Sequence, residues 1–271
     1  MIGKTFGRAF STNNKSTLSF ALQTYYENAK ILDFRSFPNP NNKIVLFCSH
    51  ASNTLPEGYS WSEKDKHNFV ETHWARDIGA LDAAIYIASG LKCALVHTLY
   101  SRLLVDANRD ASDEDIFRVS GDNKEVELNK DLTKEEKAKR IEKYHKPYYD
   151  AINEVSQKIN PDIVFGIHSF TAKKENEIRE MEVGVEFTES EELAKKICQG
   201  MRNRKYDARL NEPYSGDLGY ALYKALLEKH DKSRQGAIFE FRNDILLDSL
   251  RAPRLKQDAY EELKKACDEI L

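Results

Sequence analysis

The sequence predicts an α/β protein with a mainly parallel, twisted, mixed sheet that is flanked by helices on both faces. Short apolar runs of strand length alternate along the chain with longer segments in which apolar residues recur every three or four positions, which is typical of strands connected by helices. The chain has 271 residues. This length suits one large domain better than two of ordinary size, so we expect a single domain over residues 1–271.

The predicted strands are apolar runs, several of which end in polar residues. The clearest is 43–49, which is rich in branched residues, as in a strand buried on both faces, and which ends abruptly at His50. The other strand-like runs are 94–98, 103–106, 163–168, 181–187 and 237–242.

The predicted helices have one apolar face each. In the first, 68–91, the apolar stripe includes Val70, Trp74, Ile78 and Leu81. The second, 134–158, contains Pro147, which is expected to kink it. Further helices are expected at 190–203, 217–230 and 255–270.

Composition restricts the class of partner. Charged residues make up 31 % of the chain and the net charge is -3, so neither nucleic acid nor an anionic membrane is indicated. The apolar stretch 78–91 is too short and too interrupted for a membrane span, and residues 1–10 lack the apolar core of a secretory signal. The 4 cysteines have no Cys-x-x-Cys spacing. We therefore expect a cytoplasmic protein that acts on a small molecule, with the oligomeric state left open.

Polar clusters follow several of the predicted strands, at 49–53, 106–109, 168–170 and 240–244. Ligands of open α/β sheets bind outside the carboxyl ends of the strands, so these clusters are expected to converge on one site. Taken singly, His50 and His168 are better explained as hydrogen-bonded loop residues. The alternative for Glu240 is an ion pair with Arg242 or Arg179, which ranks second because the strand ends near these residues. Taken together, two imidazoles suit a catalytic zinc with an open position, and Glu240 suits a general base. His67, His145 and His230 lie in polar surroundings and are expected to face solvent.

Six motifs in a fixed order then point to a known family: SHASNTLP at 49–56, WARDIGA at 74–80, YSRLLVDANR at 100–109, IHSFT at 167–171, NEPYS at 211–215 and EFRND at 240–244. This series resembles the N-formylglutamate amidohydrolase family. The fold of that family is in turn similar to that of the zinc carboxypeptidases, the phosphorylase/hydrolase-like fold. The resemblance implies one zinc ion, with His50 and His168 as ligands and Glu240 as the catalytic residue.

The third metal ligand stays open at this stage. Carboxypeptidases use a His-x-x-Glu pair, whereas the residue three positions after His50 is Asn53. We predict Asn53 as the third ligand, with Glu57 and Asp77 as the alternatives.

The resemblance also implies residues that hold the substrate. Asn108 and Arg109 match the carboxypeptidase segment that binds a substrate carboxylate. Arg102 and Arg109 are expected to bind the carboxylates of the substrate with Asn108 assisting, the alternative for both arginines being a salt bridge to Asp106 or Asp77. Tyr214 is expected to donate a hydrogen bond to the oxyanion, the alternative being a packed loop tyrosine.

The implied reaction is hydrolysis of an N-acyl amide of an acidic amino acid, such as N-formyl-L-glutamate. Two alternatives remain at this stage. One is a related zinc carboxypeptidase or N-acyl-amino-acid amidase with a different acyl or peptide substrate. The other is a non-catalytic descendant that binds a ligand.

Overall fold

The computed structural model describes residues 22–26, 28–36, 39–174, 177–215 and 234–271. In these ranges the strands are β1 Leu22–Tyr26, β2 Ala29–Asp33, β3 Ile44–Cys48, β4 Ala94–Thr98, β5 Ser120–Gly121, β6 Lys124–Glu125, β7 Ile163–Phe170, β8 Lys173–Lys174, β9 Glu177–Ile178, β10 Val183–Glu186, β11 Ala208–Leu210 and β12 Gln235–Arg242. The α-helices are α1 Glu63–Asp65, α2 Ala80–Leu91, α3 Lys134–Arg140, α4 Lys146–Ile159, α5 Glu191–Asn203, α6 Asn243–Leu247 and α7 Arg251–Ile270. The predicted helix 217–230 and His230 lie outside the described residues. No helix in the described ranges combines the length and apolar character needed to cross a membrane.

The main sheet has 8 strands in the order β1-β2-β4-β3-β7-β12-β10-β11. The four central strands, from β4 to β12, are parallel to one another. At one edge β1 and β2 are antiparallel, and at the other β10 is antiparallel to β12. The predicted mixed and mainly parallel sheet is therefore confirmed.

Both faces of the central strands are buried because successive side chains point to opposite sides. On β3, Ile44 and Leu46 pack in the core that includes residues of α2, α5 and α7. Val45 and Phe47 pack on the other side against residues of α4. The helices thus cover both faces of the sheet, as predicted, and the carboxyl ends of the parallel strands stay open to ligands.

The predicted helix 68–91 is wrong over its first half. A π-helical turn at Lys66–Val70 is followed by turns, and the regular helix begins only at Ala80. The break lies at Gly79, whose φ of 82° is left-handed, and a Cβ atom there would lie 2.7 Å from Leu246 Cβ. The apolar spacing indicated burial correctly, but the regular helix begins only after this glycine, and Asp77 lies in the turn that precedes it.

The predicted strand 103–106 is also wrong, because these residues form turns. Leu103, Leu104 and Val105 are buried without pairing to a strand. The hydroxyl of Ser101 accepts from the amide of Leu103 at 3.2 Å, which stabilises the turn. The apolar run therefore reflected burial, and the turn brings Asp106 to the end of β3.

The predicted helix 134–158 is helical along its length but contains a π-helical turn at Ile141–His145. In this turn the amide of Lys146 donates to the carbonyl of Ile141. Pro147 follows this turn directly, inside the continuous helical segment. The departure from α-helical hydrogen bonding therefore lies next to the proline that was expected to disturb the helix.

Candidate active site

A cavity of about 670 Å³ opens at the carboxyl ends of the central strands. Of the eight predicted site residues, all except Asn53 line this cavity. Asp77, Asp106 and Arg118 line it as well. The predicted residues in the lining are His50, Arg102, Asn108, Arg109, His168, Tyr214 and Glu240. The convergence of the strand-end clusters is therefore seen in the described residues.

Two histidines and an aspartate lie together at the bottom of this cavity. His50 follows β3, His168 is on β7, and Asp77 lies in the turn before α2. Asp77 Oδ2 lies 3.3 Å from His50 Nδ1 and 2.7 Å from His168 Nδ1. All three residues are buried, and their ligand atoms lie within 4.8 Å of one another. This group is a candidate metal site.

The backbone holds Asp77 in place. Its amide donates to the carbonyl of His50 at 3.0 Å, which fixes the turn to the end of β3. Its Oδ1 faces Arg102 at 3.4 Å, so that Oδ2 is the oxygen turned toward the histidines. One carboxylate thus neutralises a cation while presenting a single oxygen to the cluster.

Asp106 orients His50 from the opposite side of the ring. Its Oδ1 lies 2.6 Å from His50 Nε2, and its Oδ2 accepts from Arg102 at 2.8 Å. Burial alone would raise the pKa of Asp106, but Arg102 and His50 hold that pKa well below its usual value. An ionised Asp106 favours the ring proton on Nε2, so that in the neutral ring the lone pair of Nδ1 would be available to a metal held together with Asp77.

The two histidines differ in basicity. Burial and Arg102 lower the pKa of His50, but Asp106 and Asp77 outweigh them and the net shift is upward. Burial lowers the pKa of His168, and the opposing effect of Asp77 does not restore it. His168 is therefore the more readily neutral imidazole, the form that binds a metal.

Glu240 lies beside His168, since the two residues are paired in register on β12 and β7. Its side chain is buried, and its Oε2 has no hydrogen-bond partner among the described residues. Burial raises the pKa of Glu240 well above its usual value, and the charges of Glu186 and Asp77 raise it further. A cation or a water in the cavity would satisfy this oxygen.

Tyr214 closes another part of the cavity. Arg179 donates to its hydroxyl at 3.2 Å and stacks over its ring, with 5.2 Å from the guanidinium carbon to the ring centroid. Burial and the charge of Glu240 raise the pKa of Tyr214 despite the opposing effect of Arg179. The phenol therefore keeps its proton at neutral pH and is able to donate it in a hydrogen bond.

The predicted cations are engaged to different degrees. Arg102 forms the salt bridges to Asp106 and Asp77 that were its alternative role. Arg109 pairs with Asp113 at 2.9 Å, and its backbone carbonyl lies 2.9 Å from His145 Nε2. His145 is buried, contrary to the expectation that it faces solvent, because its ring stacks on Tyr149 and holds the Arg109 loop. His67 is exposed, as expected.

Neither Asn53 nor Glu57 lies with the histidines. The amide of Asn53 donates to the carbonyl of Val70 at 2.8 Å and to Glu71 at 3.2 Å, outside the cavity lining. Glu57 is exposed in a turn. The carboxylate that joins the two histidines is the remaining alternative, Asp77.

Sequence reasoning assigned no role to Asp106 in orienting His50, and it did not single out Arg118. Asp106 belongs to the motif at 100–109, so its place in that motif could have marked it as a residue of the site. Arg118 lies outside all six motifs, and only the fold brings it to the cavity.

The donor set fits a divalent metal of the zinc class. Imidazole nitrogen and carboxylate oxygen are both zinc ligands, and three protein ligands leave a position for water. Asp77 Oδ2 lies 3.3 Å from His50 Nδ1 and 2.7 Å from His168 Nδ1, so that a single ion between them would be within reach of all three donor atoms. The unpartnered oxygen of Glu240 lies beside this group, as the proton acceptor for a bound water would.

Comparison with known proteins agrees with this architecture. The chain is similar to a crystal structure of a gene product from Agrobacterium tumefaciens, with a TM-score of 0.78 and 25% identity over 90% of this chain and 96% of that chain. It is also similar in fold to an N-formylglutamate amidohydrolase from Ralstonia eutropha JMP134, with a TM-score of 0.67 and 14% identity over 89% of this chain and 97% of that chain. No curated protein sequence matches the chain.

The family comparison covers most of the chain. The family model for N-formylglutamate amidohydrolase matches residues 42–247, a range that contains all six motifs and every residue of the site described above. The predicted resemblance is confirmed, and a hydrolase of the amidohydrolase kind is indicated. The chain belongs to the N-formylglutamate amidohydrolase family.

Proposed function

We propose that this protein hydrolyses the N-acyl amide of an acidic amino acid, with N-formyl-L-glutamate as the first substrate to test. We further propose that His50, Asp77 and His168 hold one zinc ion. The single observation that carries the proposal is the buried His-Asp-His group beside a buried glutamate that has an unpartnered oxygen. The free, buried cysteines support a reducing, cytoplasmic location.

Glu240 is the proposed general base. A zinc ion at this site would polarise the amide carbonyl and acidify the attacking water. Glu240 Oε2 accepts the proton of that water and passes it to the leaving amine nitrogen. Its raised pKa favours holding the proton between these two steps. The positive charge of a bound divalent metal would lower that pKa and favour the ionised carboxylate, the form that accepts the proton.

The substrate is oriented by its α-carboxylate. Asn108 and Arg109 line the cavity and are the proposed ligands of that group, since a guanidinium grips two carboxylate oxygens at once. The Tyr214 hydroxyl donates a hydrogen bond to the developing oxyanion. Arg102 is a positioning residue, because its N–H groups face Asp106 and Asp77, which in turn hold His50 and complete the ligand group.

The test combines metal analysis with hydrolysis assays on N-formyl-L-glutamate and its N-acetyl and N-succinyl analogues. Glu240→Gln should retain the metal while kcat falls by about 100- to 10,000-fold, the contribution typical of a general base. Glu57→Gln is the matched control, because Glu57 is an exposed glutamate outside the cavity, and it should retain both metal and turnover.

Three results would contradict the proposal. Wild-type turnover by Glu240→Gln would remove Glu240 from the mechanism. A purified protein that binds no divalent metal would refute the metal site. Preference for the N-acetyl or N-succinyl analogue would contradict the choice of N-formyl-L-glutamate as the substrate, although the proposed amidohydrolase chemistry would still hold.

A further inference from the structure

Three arginines line the cavity, and they differ in how far their charge is neutralised. Arg102 lies 2.8 Å from Asp106, and Arg109 lies 2.9 Å from Asp113. The carboxylate paired with Arg118 is that of Asp115, at 3.8 Å. Asp115 is 64% exposed, so water screens that pair. Arg118 is therefore the least neutralised guanidinium of the three.

An aromatic ring positions Arg118. Its guanidinium carbon lies 5.4 Å from the centroid of the Trp74 ring. The indole is itself fixed, since its Nε1 donates to Asp122 at 2.8 Å and a Cβ on Gly121 would come within 2.7 Å of the ring. A guanidinium that lies over an aromatic ring is held in place without using its N–H donors, which point outward in the guanidinium plane and are available to a carboxylate.

The charges around Arg118 favour an incoming anion. Burial lowers the pKa of Arg118, and the positive charges of Arg102 and Arg109 lower it further, against the weaker pull of Asp115 and Asp106. A bound anion would relieve this repulsion and would accept from the Arg118 N–H groups, for which no hydrogen bond to a described residue is seen.

We propose that Arg118, stacked on Trp74, binds the side-chain carboxylate of the amino-acid substrate and thereby selects N-acyl amino acids with an acidic side chain. This inference rests on the proposed function, in which Asn108 and Arg109 take the α-carboxylate. Two carboxylates then have one guanidinium each, while Arg102 stays with Asp77 and Asp106.

Lys174 is the competing cation. It also lines the cavity, but its side chain is exposed on the short strand β8, and no aromatic ring among the described residues lies against its ammonium group. An exposed ammonium on a flexible stem loses more side-chain entropy on binding than a guanidinium that is already stacked. Lys174→Ala is therefore the comparison variant for Arg118→Ala.

The experiment measures kcat/KM for N-formyl-L-glutamate and N-formyl-L-glutamine, two side chains of nearly equal size that differ in charge. Arg118→Ala should lower kcat/KM for the glutamate compound by about 10- to 100-fold, the loss typical of a hydrogen bond to a charged group, and that for the glutamine compound by about threefold or less. Arg118→Lys should retain part of the preference. Arg254→Ala, which removes an exposed arginine of α7, controls for net charge and should leave both values unchanged.

Equal losses on both substrates for Arg118→Ala would overturn the inference, and so would a selective loss in Lys174→Ala alone. If the wild-type protein hydrolyses neither compound, the proposed function fails separately. Calorimetric titration of the zinc-loaded protein with L-glutamate and L-glutamine then decides the role of Arg118. Loss of the preference for glutamate in Arg118→Ala supports it, and an unchanged preference refutes it.

Discussion

Replacing Asp106 by asparagine tests how the site is organised, because the substitution keeps the shape of the side chain and removes its charge. Asp106 accepts from His50 Nε2 at 2.6 Å and from Arg102 at 2.8 Å, and it is 3% exposed. A hydrogen bond to a charged group contributes about 1.5–3 kcal/mol and a neutral one about 0.5–1.5 kcal/mol. The expected loss is therefore about 1–2 kcal/mol.

That loss should appear in metal affinity, because Asp106 fixes the tautomer of His50 and raises the basicity of its Nδ1. One to two kcal/mol corresponds to zinc binding that is roughly 5- to 30-fold weaker. The assay is competition for zinc with a chelator of known affinity, with circular dichroism to establish that the variant is folded.

Asp113→Asn is the matched control for this experiment. Asp113 also lines the cavity, and it accepts a hydrogen bond from Arg109 at 2.9 Å. Among the described residues, no histidine donates a hydrogen bond to Asp113. Zinc affinity should stay within about twofold of wild type in this variant. If Asp106→Asn and Asp113→Asn bind zinc equally well, Asp106 does not support a metal-bound His50.

Three further predictions concern the ligands, the sheet and pH. His168→Ala should remove the metal, and wild-type zinc occupancy would refute the ligand assignment. Gly184→Ala should destabilise the fold by about 1–3 kcal/mol, measured by denaturant unfolding, because the new Cβ would lie 2.2 Å from the carbonyl oxygen of Glu212, near Tyr214. Gly166→Ala, where the nearest atom is a side-chain carbon at 3.0 Å, should cost less, and equal losses would contradict the steric argument. The pKa of His50 in the folded, metal-free protein is raised above 6.5, so protonation of this ring stabilises the fold. This stabilisation is fully present below pH 6.5 and is lost as the pH rises through the pKa of the folded state. Zinc requires the neutral ring, so the difference in Tm between zinc-loaded and metal-free protein should widen from about pH 6 to about pH 8, and a constant difference would count against His50 as a ligand.

The central part of the fold was readable from the sequence. The strand Ile44–Cys48 is a continuous apolar run because both faces of a central parallel strand are covered by helices. The edge strands Leu22–Tyr26 and Ala208–Leu210 were missed, and so was Ala29–Asp33, which lies next to the first of them. Strands at or near a sheet edge are short and carry polar residues such as Lys30 and Arg209, so their pattern resembles that of a loop.

The sequence by itself determined the family, the two histidines and the glutamate, because each of these residues follows or ends an apolar strand and belongs to a motif of fixed order. Only the tertiary structure decided the partner of the histidines. Asn53 belongs to the motif of His50 and Asp77 to the next motif along the chain, and spacing does not say which side chain turns toward the cavity. The regular helix begins only after the left-handed Gly79, which leaves Asp77 in a turn beside the histidines, while Asn53 donates to the carbonyl of Val70. The same dependence on long-range contacts applies to Arg118, because its place on the Trp74 ring arises only when two segments more than forty residues apart meet at one cavity.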